Sequence, residues 1–253
     1  VDSIVVLKGG DLKNESKIYV DIFKRMGYPL RELPFAEIAD NLDGLENSWI
    51  LSELSFDEIC SLDSEVIKKM MPLNIMNDFR TVFLIHDKRF FSVLGNSRLR
   101  EAALTKEEIE FFEKFYIPTY SFSERKDLWD DAKLNKNNWI IKHRSLGKSE
   151  KVYAGIVTDE KLWDSLFLGE DVEDLILQEW IHQTTVKGKI KNQNFDDFIT
   201  GTLLFFDNEY YGFGEFRTSS FPVTNQGDHR KACSIIRADD APIDLSKVTN
   251  YIN

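Results

Sequence analysis

The chain has 253 residues, 42% of them hydrophobic and 13% aromatic, with 19 Phe, a composition that buries a large core and excludes disorder over most of the length. A net charge of -11 excludes a nonspecific nucleic-acid binder, because phosphate backbones are held by clustered Lys and Arg. No run approaches the roughly 20 apolar residues that cross a bilayer, and Cys60 and Cys233 show no CxxC spacing, so neither a zinc site nor a disulfide framework is indicated and a reducing cytoplasm is expected.

The opening VDSIVVLKGG has the apolar run and glycine stop of a buried strand and lacks the regions of a signal peptide. It begins on Val rather than Met, so the chain reads as a piece of something longer. SKIYVDIFKRMGY places Ile18, Ile22 and Phe23 at helical spacing before Gly27. PLRELPF and SWILSEL read as the next strands, FDEICSLDSEVIKKMM as one amphipathic helix, and TVFLIHD as a closing strand. Strand, helix, strand, short helix, strand makes a small α/β unit over residues 1–85.

From Lys88 to Tyr116 the pattern is helical, with Thr105 and Glu108 spaced as a capping box. SERKDLWDDAKLNKNN is polar and reads as a connector. Beyond it WIIKHR and KVYAGIV form a hairpin, TDEKLWDSLF a helix and LILQEWI a strand. FITGTLLFFDNEYYGFGEFRT gives two strands turned at Asp207 and Asn208. Residues 86–253 are therefore antiparallel sheet with a few helices, and the whole chain is α+β / α/β.

Lys142 ends an apolar strand, an expensive place unless its ammonium reaches water or an anion. It either snorkels from a sheet edge or meets a ligand. The loop SLGKSEK that follows favours the ligand: Gly147 permits close backbone approach, and Lys148 and Lys151 add positive charge. In LILQEWI, Gln178 to Ile181 put polar, acidic and apolar groups in succession, as an adenine slot requires, although an ordinary half-buried strand reads the same way. In GFGEFRTSSFPVTN, Glu215 and Arg217 alternate with Phe213 and Phe216, placing charges on one face and rings on the other. Arg217 with Thr218, Ser219, Thr224 and Asn225 makes a plausible oxyanion grip, and a Glu215–Arg217 salt bridge is the simpler alternative. His86, His143, His182 and His229 have no ligand spacing, and His143 points to the face opposite Lys142.

The order of these elements resembles the circularly permuted branch of the ATP-grasp ligases, which includes glutathionylspermidine synthetase. NDFRTVFLIHDKRFFSVL is similar to that family's Asn-then-Lys helix start, WIIKHRSLGKSEKVYAGIVTDEKLW to its lysine strand, glycine loop and helix, LILQEWI to its adenine hinge, and GFGEFRTSSFPVTN to its late Gly-x-x-Arg and Thr-Asn stretch. The stations span Asn77 to Asn225, and residues 1–85 are similar to its small α/β portion.

The resemblance implies ATP and Mg2+ as cofactors and a ligase that phosphorylates a carboxylate before an amine attacks the acyl-phosphate. Its partners would be ATP and a small-molecule or peptide carboxylate and amine, with no nucleic acid and no membrane. It implies that Lys88, Lys142, Gly147 and Lys148 serve the phosphates or the adenine-side pocket. Gln178, Glu179 and Ile181 would border the base, Arg217 would stabilise the transferring phosphoryl group, and Asn225 would lie near the same site. Two departures stand out. The phosphate loop has one glycine, and the Glu-x-Asn metal pair of the family occurs nowhere in the sequence; in the permuted order that pair would precede the small α/β unit, so either it lies upstream of Val1 or the protein has lost its metal, and no metal ligand is assigned here. A non-catalytic nucleotide-binding or interaction module is the alternative, and a likeness of fold alone, with a different ligand, is a third reading.

Overall fold

The computed structural model describes residues 3–10, 15–76, 78–147, 149–190, 193–206, 209–224 and 231–233. The chain divides into two compact units, Val1–Phe90 and Phe91–Asn253.

In the first unit, β1 (Ile4–Lys8), β2 (Leu30–Pro34), β3 (Trp49–Glu53) and β4 (Ile75–Met76) form a sheet in the order β2-β1-β3-β4, every pair parallel. Central β1 is covered on both faces, and Ile4, Val5, Val6 and Leu7 are all buried, which is why it reads as an unbroken apolar run. Helix α1 (Glu15–Arg25) ends as the sequence predicts, with Gly27 at φ +79 and its neighbour Tyr28 donating back to the Phe23 carbonyl. Among its described side chains Val20 is buried, Phe23 half-buried and Ile22 exposed; the Ile18 side chain lies outside them.

Two expectations for this unit fail for local reasons. The single helix over FDEICSLDSEVIKKMM is two, α2 (Phe56–Ser61) and α3 (Ser64–Met70), because Leu62 is extended and the Asp63 carboxylate caps a fresh start at Glu65. TVFLIHD is not a strand but part of α4 (Phe79–His86), capped by Asp78 through the Arg80 amide, with Phe79 and Phe83 packed on the core. A short apolar run does not distinguish a buried strand from one face of a helix; the cap does.

The second unit begins within α5 (Phe90–Leu94) and continues with α6 (Ser97–Ala103) and α7 (Lys106–Phe115), the last carrying the full Thr105–Glu108 capping box. Next come β5 (Thr119–Ser121), α8 (Lys126–Leu134), β6 (Trp139–His143), β7 (Val152–Ala154), α9 (Glu160–Ser165) and β8 (Leu175–Glu179). These strands form an antiparallel sheet in the order β5-β8-β6-β7. The expected connector is thus helix α8, whose Trp129 and Ala132 are fully buried. Trp129 and Ala132, three positions apart, seat the helix on the core with Leu128 packed beside them.

A second antiparallel sheet has the order β12-β11-β10-β9, from β9 (Thr185–Ile190), β10 (Gln193–Phe206), β11 (Glu209–Ser219) and β12 (Lys231–Cys233). The turn expected at Asp207 and Asn208 lies outside the described residues. Between the pairs Gly201↔Phe216 and Leu203↔Phe213, β11 holds one residue more than β10. That bulge reverses the side-chain parity and brings the Phe213 and Phe216 rings onto one face, 5.7 Å apart, where strict alternation would leave Phe213 with Glu215. Gly201 lies under the Phe216 ring, and a Cβ there would come within 2.2 Å of it.

Candidate functional site

The β5-β8-β6-β7 sheet sorts its residues by parity. Trp139, Ile141, Leu175 and Leu177 point to one face and pack with Trp129, Ala132 and Trp163 of α8 and α9. Ile140, Lys142, Thr119, Ile176 and Gln178 belong to the other, as the pairs Ile140↔Gln178, Lys142↔Ile176 and Thr119↔Gln178 require. On this second face Ile140 and Ala154 pack with Val223, which follows β11, and with Trp180.

Lys142 and Gln178 meet directly: the ammonium donates to Gln178 Oε1 at 2.7 Å. Gln178 Nε2 in turn donates to Thr119 Oγ1 at 2.7 Å. Nothing in the sequence singles out Thr119, because its partner is a strand pair 59 residues away. Thr119 and Gln178 are directly opposite each other, while Lys142 and Gln178 stand diagonally, a separation that long side chains bridge.

The loop from β6 to β7 is fastened at its root by Arg144, whose Nε donates to Asp174 Oδ1 at 2.7 Å while its amide donates to the Asp174 carbonyl. Gly147 is exposed, with no left-handed φ and no atom within 4 Å of where a Cβ would sit; among the described residues of the loop, Ser149 and Lys151 are left-handed, at φ 63 and 47. Lys148 lies outside the described residues, as does Asn225. His143 accepts from the Ser145 amide through Nδ1 at 3.2 Å.

Glu179 and Ile181, at and just beyond the end of β8, are exposed while Gln178 is buried. The chain leaving β8 is tied to the segment after β11 by Gln183, whose Nε2 donates to the Pro222 carbonyl at 2.9 Å. Beside Pro222, Val223 is the residue seated on the Lys142 face, and the Thr224 hydroxyl donates to Thr200 Oγ1 at 3.2 Å. Thr200 is the strand partner of Arg217. A chain of contacts therefore leads from Arg217 through Thr200, Thr224 and Val223 to the face that carries Lys142. Arg217 also forms the expected pair with Glu215, at 3.2 Å.

Lys88 belongs to the first unit, between α4 and α5. Burial pushes its ammonium below the ordinary lysine value of 10.5, and the neighbouring Asp87 only partly opposes that. Among the described residues, no three His, Cys, Asp or Glu side chains converge on one point. A cleft of about 490 Å³ lies elsewhere, at Lys136, Asn138, Trp163 and Asp164, where Trp163 joins the helix-covered cluster; Lys142 is not among its lining. Among the described residues, no helix is long and apolar enough to cross a membrane.

No protein-family model matches the chain, and no curated protein matches it. Among solved structures it is similar to a D-alanine–D-alanine ligase from Bacillus anthracis, at 14% identity over 84% of this chain and 69% of that one, with a TM-score of 0.41. It is similar also to the ATP-grasp ligase PsnB complexed with minimal precursor, at 12% identity over 87% of this chain and 77% of that one, TM-score 0.45. A third is the macrocyclase MdnC bound with precursor peptide MdnA from Microcystis aeruginosa MRC, at 11% identity over 77% and 74%, TM-score 0.41. Likeness at this level assigns no activity, so a functional reading rests on the geometry of the residues themselves.

Proposed function

We propose that the second unit is an ATP-grasp-type nucleotide-binding body, and that the protein is an ATP-dependent carboxylate–amine ligase acting through an acyl-phosphate. The observation that carries this reading is the polar face of the β5-β8-β6-β7 sheet. A lysine is held there beside a hairpin loop, next to the strand that leads to Glu179 and Ile181, and Val223, in the segment that follows β11, is packed on the same face. Triphosphate recognition needs a preorganised cation on a partly dry surface, where its charge is screened less than in water.

In this reading Lys142 meets the phosphates, with Gly147 and Lys148 as further phosphate-side candidates; Lys88 is a candidate from the sequence resemblance alone. Glu179 and Ile181 border the base with Gln178 at its inner edge, Arg217 faces the transferring phosphoryl group, and Asn225 stands nearby. Phosphoryl transfer in such a site is mostly positioning and charge stabilisation, which these side chains supply. The circularly permuted, glutathionylspermidine synthetase-like placement, a cytoplasmic location and the division into a small α/β unit and a nucleotide-binding region rest on the sequence alone. The acid and the amine stay unnamed.

A nucleotide-binding module without turnover is the second reading. It is favoured by the sequence having no Glu-x-Asn pair and by the engagement of Glu215 with Arg217. Thermal unfolding in the presence of MgATP tests both. Ligand at about 100 times its dissociation constant stabilises a fold by about 2.7 kcal/mol. Lys142→Ala is expected to remove most of that shift, and an unchanged shift takes Lys142 out of the site. ADP release in the presence of carboxylate and amine mixtures separates the ligase from the silent binder.

A further inference from the structure

The contact between Lys142 and Gln178 is half of a longer chain. Beyond Gln178 stands Thr119, and the Thr119 hydroxyl donates to the Ile117 carbonyl at 3.3 Å. Gln178 is 7% exposed and Thr119 2% exposed, so neither turns to water for a partner. Buried polar groups must then be satisfied by each other.

The ends of this chain decide every role inside it. An ammonium has donors and no acceptor, so the end of the Gln178 amide that faces Lys142 must be the carbonyl. Its NH2 then faces Thr119. A hydroxyl can donate or accept, but opposite an NH2 it can only accept, and its own proton is left for the Ile117 carbonyl. A flipped amide would set an NH2 against the ammonium and a carbonyl against Thr119. The threonine thereby holds the acceptor end of Gln178 toward the lysine.

We infer that Thr119 is a positioning residue for Lys142, acting through Gln178 to hold the ammonium at one place on the polar face before a phosphate arrives. The inference rests on the reading of this face as a nucleotide site. It also limits what Gln178 does there: with its carbonyl on the lysine and its NH2 on the threonine, discrimination of the base falls to the residues after it. Charge stabilisation depends on such preorganisation, since a donor that must first be reoriented gives back part of what it contributes.

The test measures ATP and adenosine affinities for the wild-type chain and for Lys142→Ala, Thr119→Val and Thr119→Ser. Valine has the shape of threonine without the acceptor; serine keeps it. Thr119→Val is expected to weaken ATP about tenfold, the size of one hydrogen bond to a charged group, while adenosine changes less than about twofold. Thr119→Ser is expected to restore ATP binding. If Thr119→Val does not fold, Thr119→Cys, of similar volume and a poor acceptor, takes its place. A second readout needs no nucleotide: the 15N resonance of the Lys142 ammonium, assigned with Lys142→Met, moves in the valine variant and stays in the serine variant. ATP affinity unchanged in a folded valine variant, with Lys142→Ala still impaired, overturns the inference, as does an unmoved resonance. A wild-type chain that binds neither ATP nor adenosine overturns the nucleotide reading, and the resonance then decides the positioning role alone.

Discussion

The β5-β8-β6-β7 sheet presents two faces made by the same strands, and their parts are held by different forces. Toward α8 and α9, Trp139, Ile141, Leu175 and Leu177 meet Trp129 and Trp163, and the attraction grows with the apolar area removed from water. Toward the other side, Thr119, Gln178 and Lys142 are joined by hydrogen bonds in which each member needs the next. Apolar packing averages over many contacts, whereas a buried polar chain is directional and fails at its weakest link. A strand's period of two thus separates stability from recognition residue by residue, and substitutions at alternate positions should report on different properties.

The largest effect expected is on the helix-covered face. Trp163→Ala removes a fully buried ring, its edge contact with Phe167 and the hydrogen bond from Nε1 to the Ala132 carbonyl, and is expected to cost about 3–5 kcal/mol in urea unfolding. A cost below about 1 kcal/mol would break the assignment of stability to that face.

Gly155→Ala, at the end of β7, probes where the strand meets the turn after α8. An added Cβ would lie 1.8 Å from the Lys136 carbonyl oxygen, so backbone must shift. The Lys136 ammonium, which donates to the Gly155 and Thr158 carbonyls at 2.9 and 2.7 Å, would be disturbed as well. A loss of about 1–3 kcal/mol in the same measurement is expected.

Lys142→Ala reverses the balance: most of the MgATP-induced stabilisation of about 2.7 kcal/mol should vanish, with a smaller loss in the unliganded chain from the orphaned Gln178 carbonyl. Comparable losses with and without MgATP would erase the distinction between the faces.

Lys88 sharpens the comparison from the first unit. Its folded pKa lies below the ordinary 10.5, so between those values the unfolded chain binds more protons and stability rises with pH. Lys88→Met should therefore be more stable than the wild type at neutral pH, and the advantage should fade as pH climbs past the folded value toward 10.5. Chemical unfolding at a series of pH values reads this out. If Lys88 serves a phosphate, MgATP will flatten the wild-type slope, because a bound anion favours the charged ammonium.

Much of the architecture is legible in the chain because it is written locally. The apolar runs of β1, β6 and β8, the Thr105–Glu108 box and the glycine after α1 act over a few residues each. The misreadings share a cause. TVFLIHD is as apolar as a strand, and only the Asp78 cap and the packing of Phe83 make it a helix. The polar α8 is a helix because Trp129 finds a core to enter. At the site, Lys142 and Gln178 stand out by residue type in their own strands, while Thr119 does not.

By itself, then, the sequence determined the strands, the caps and which residues could bear charge on an apolar surface, since propensity, capping and side-chain parity are properties of neighbours along the chain. Tertiary structure alone decided that Thr119, Gln178 and Lys142 share one face, that β11 bulges to reunite Phe213 with Phe216, and that Val223 returns to cover Ile140. Those are matters of strand order and register, set by which distant surfaces bury each other, and no local pattern encodes a partner 59 residues away.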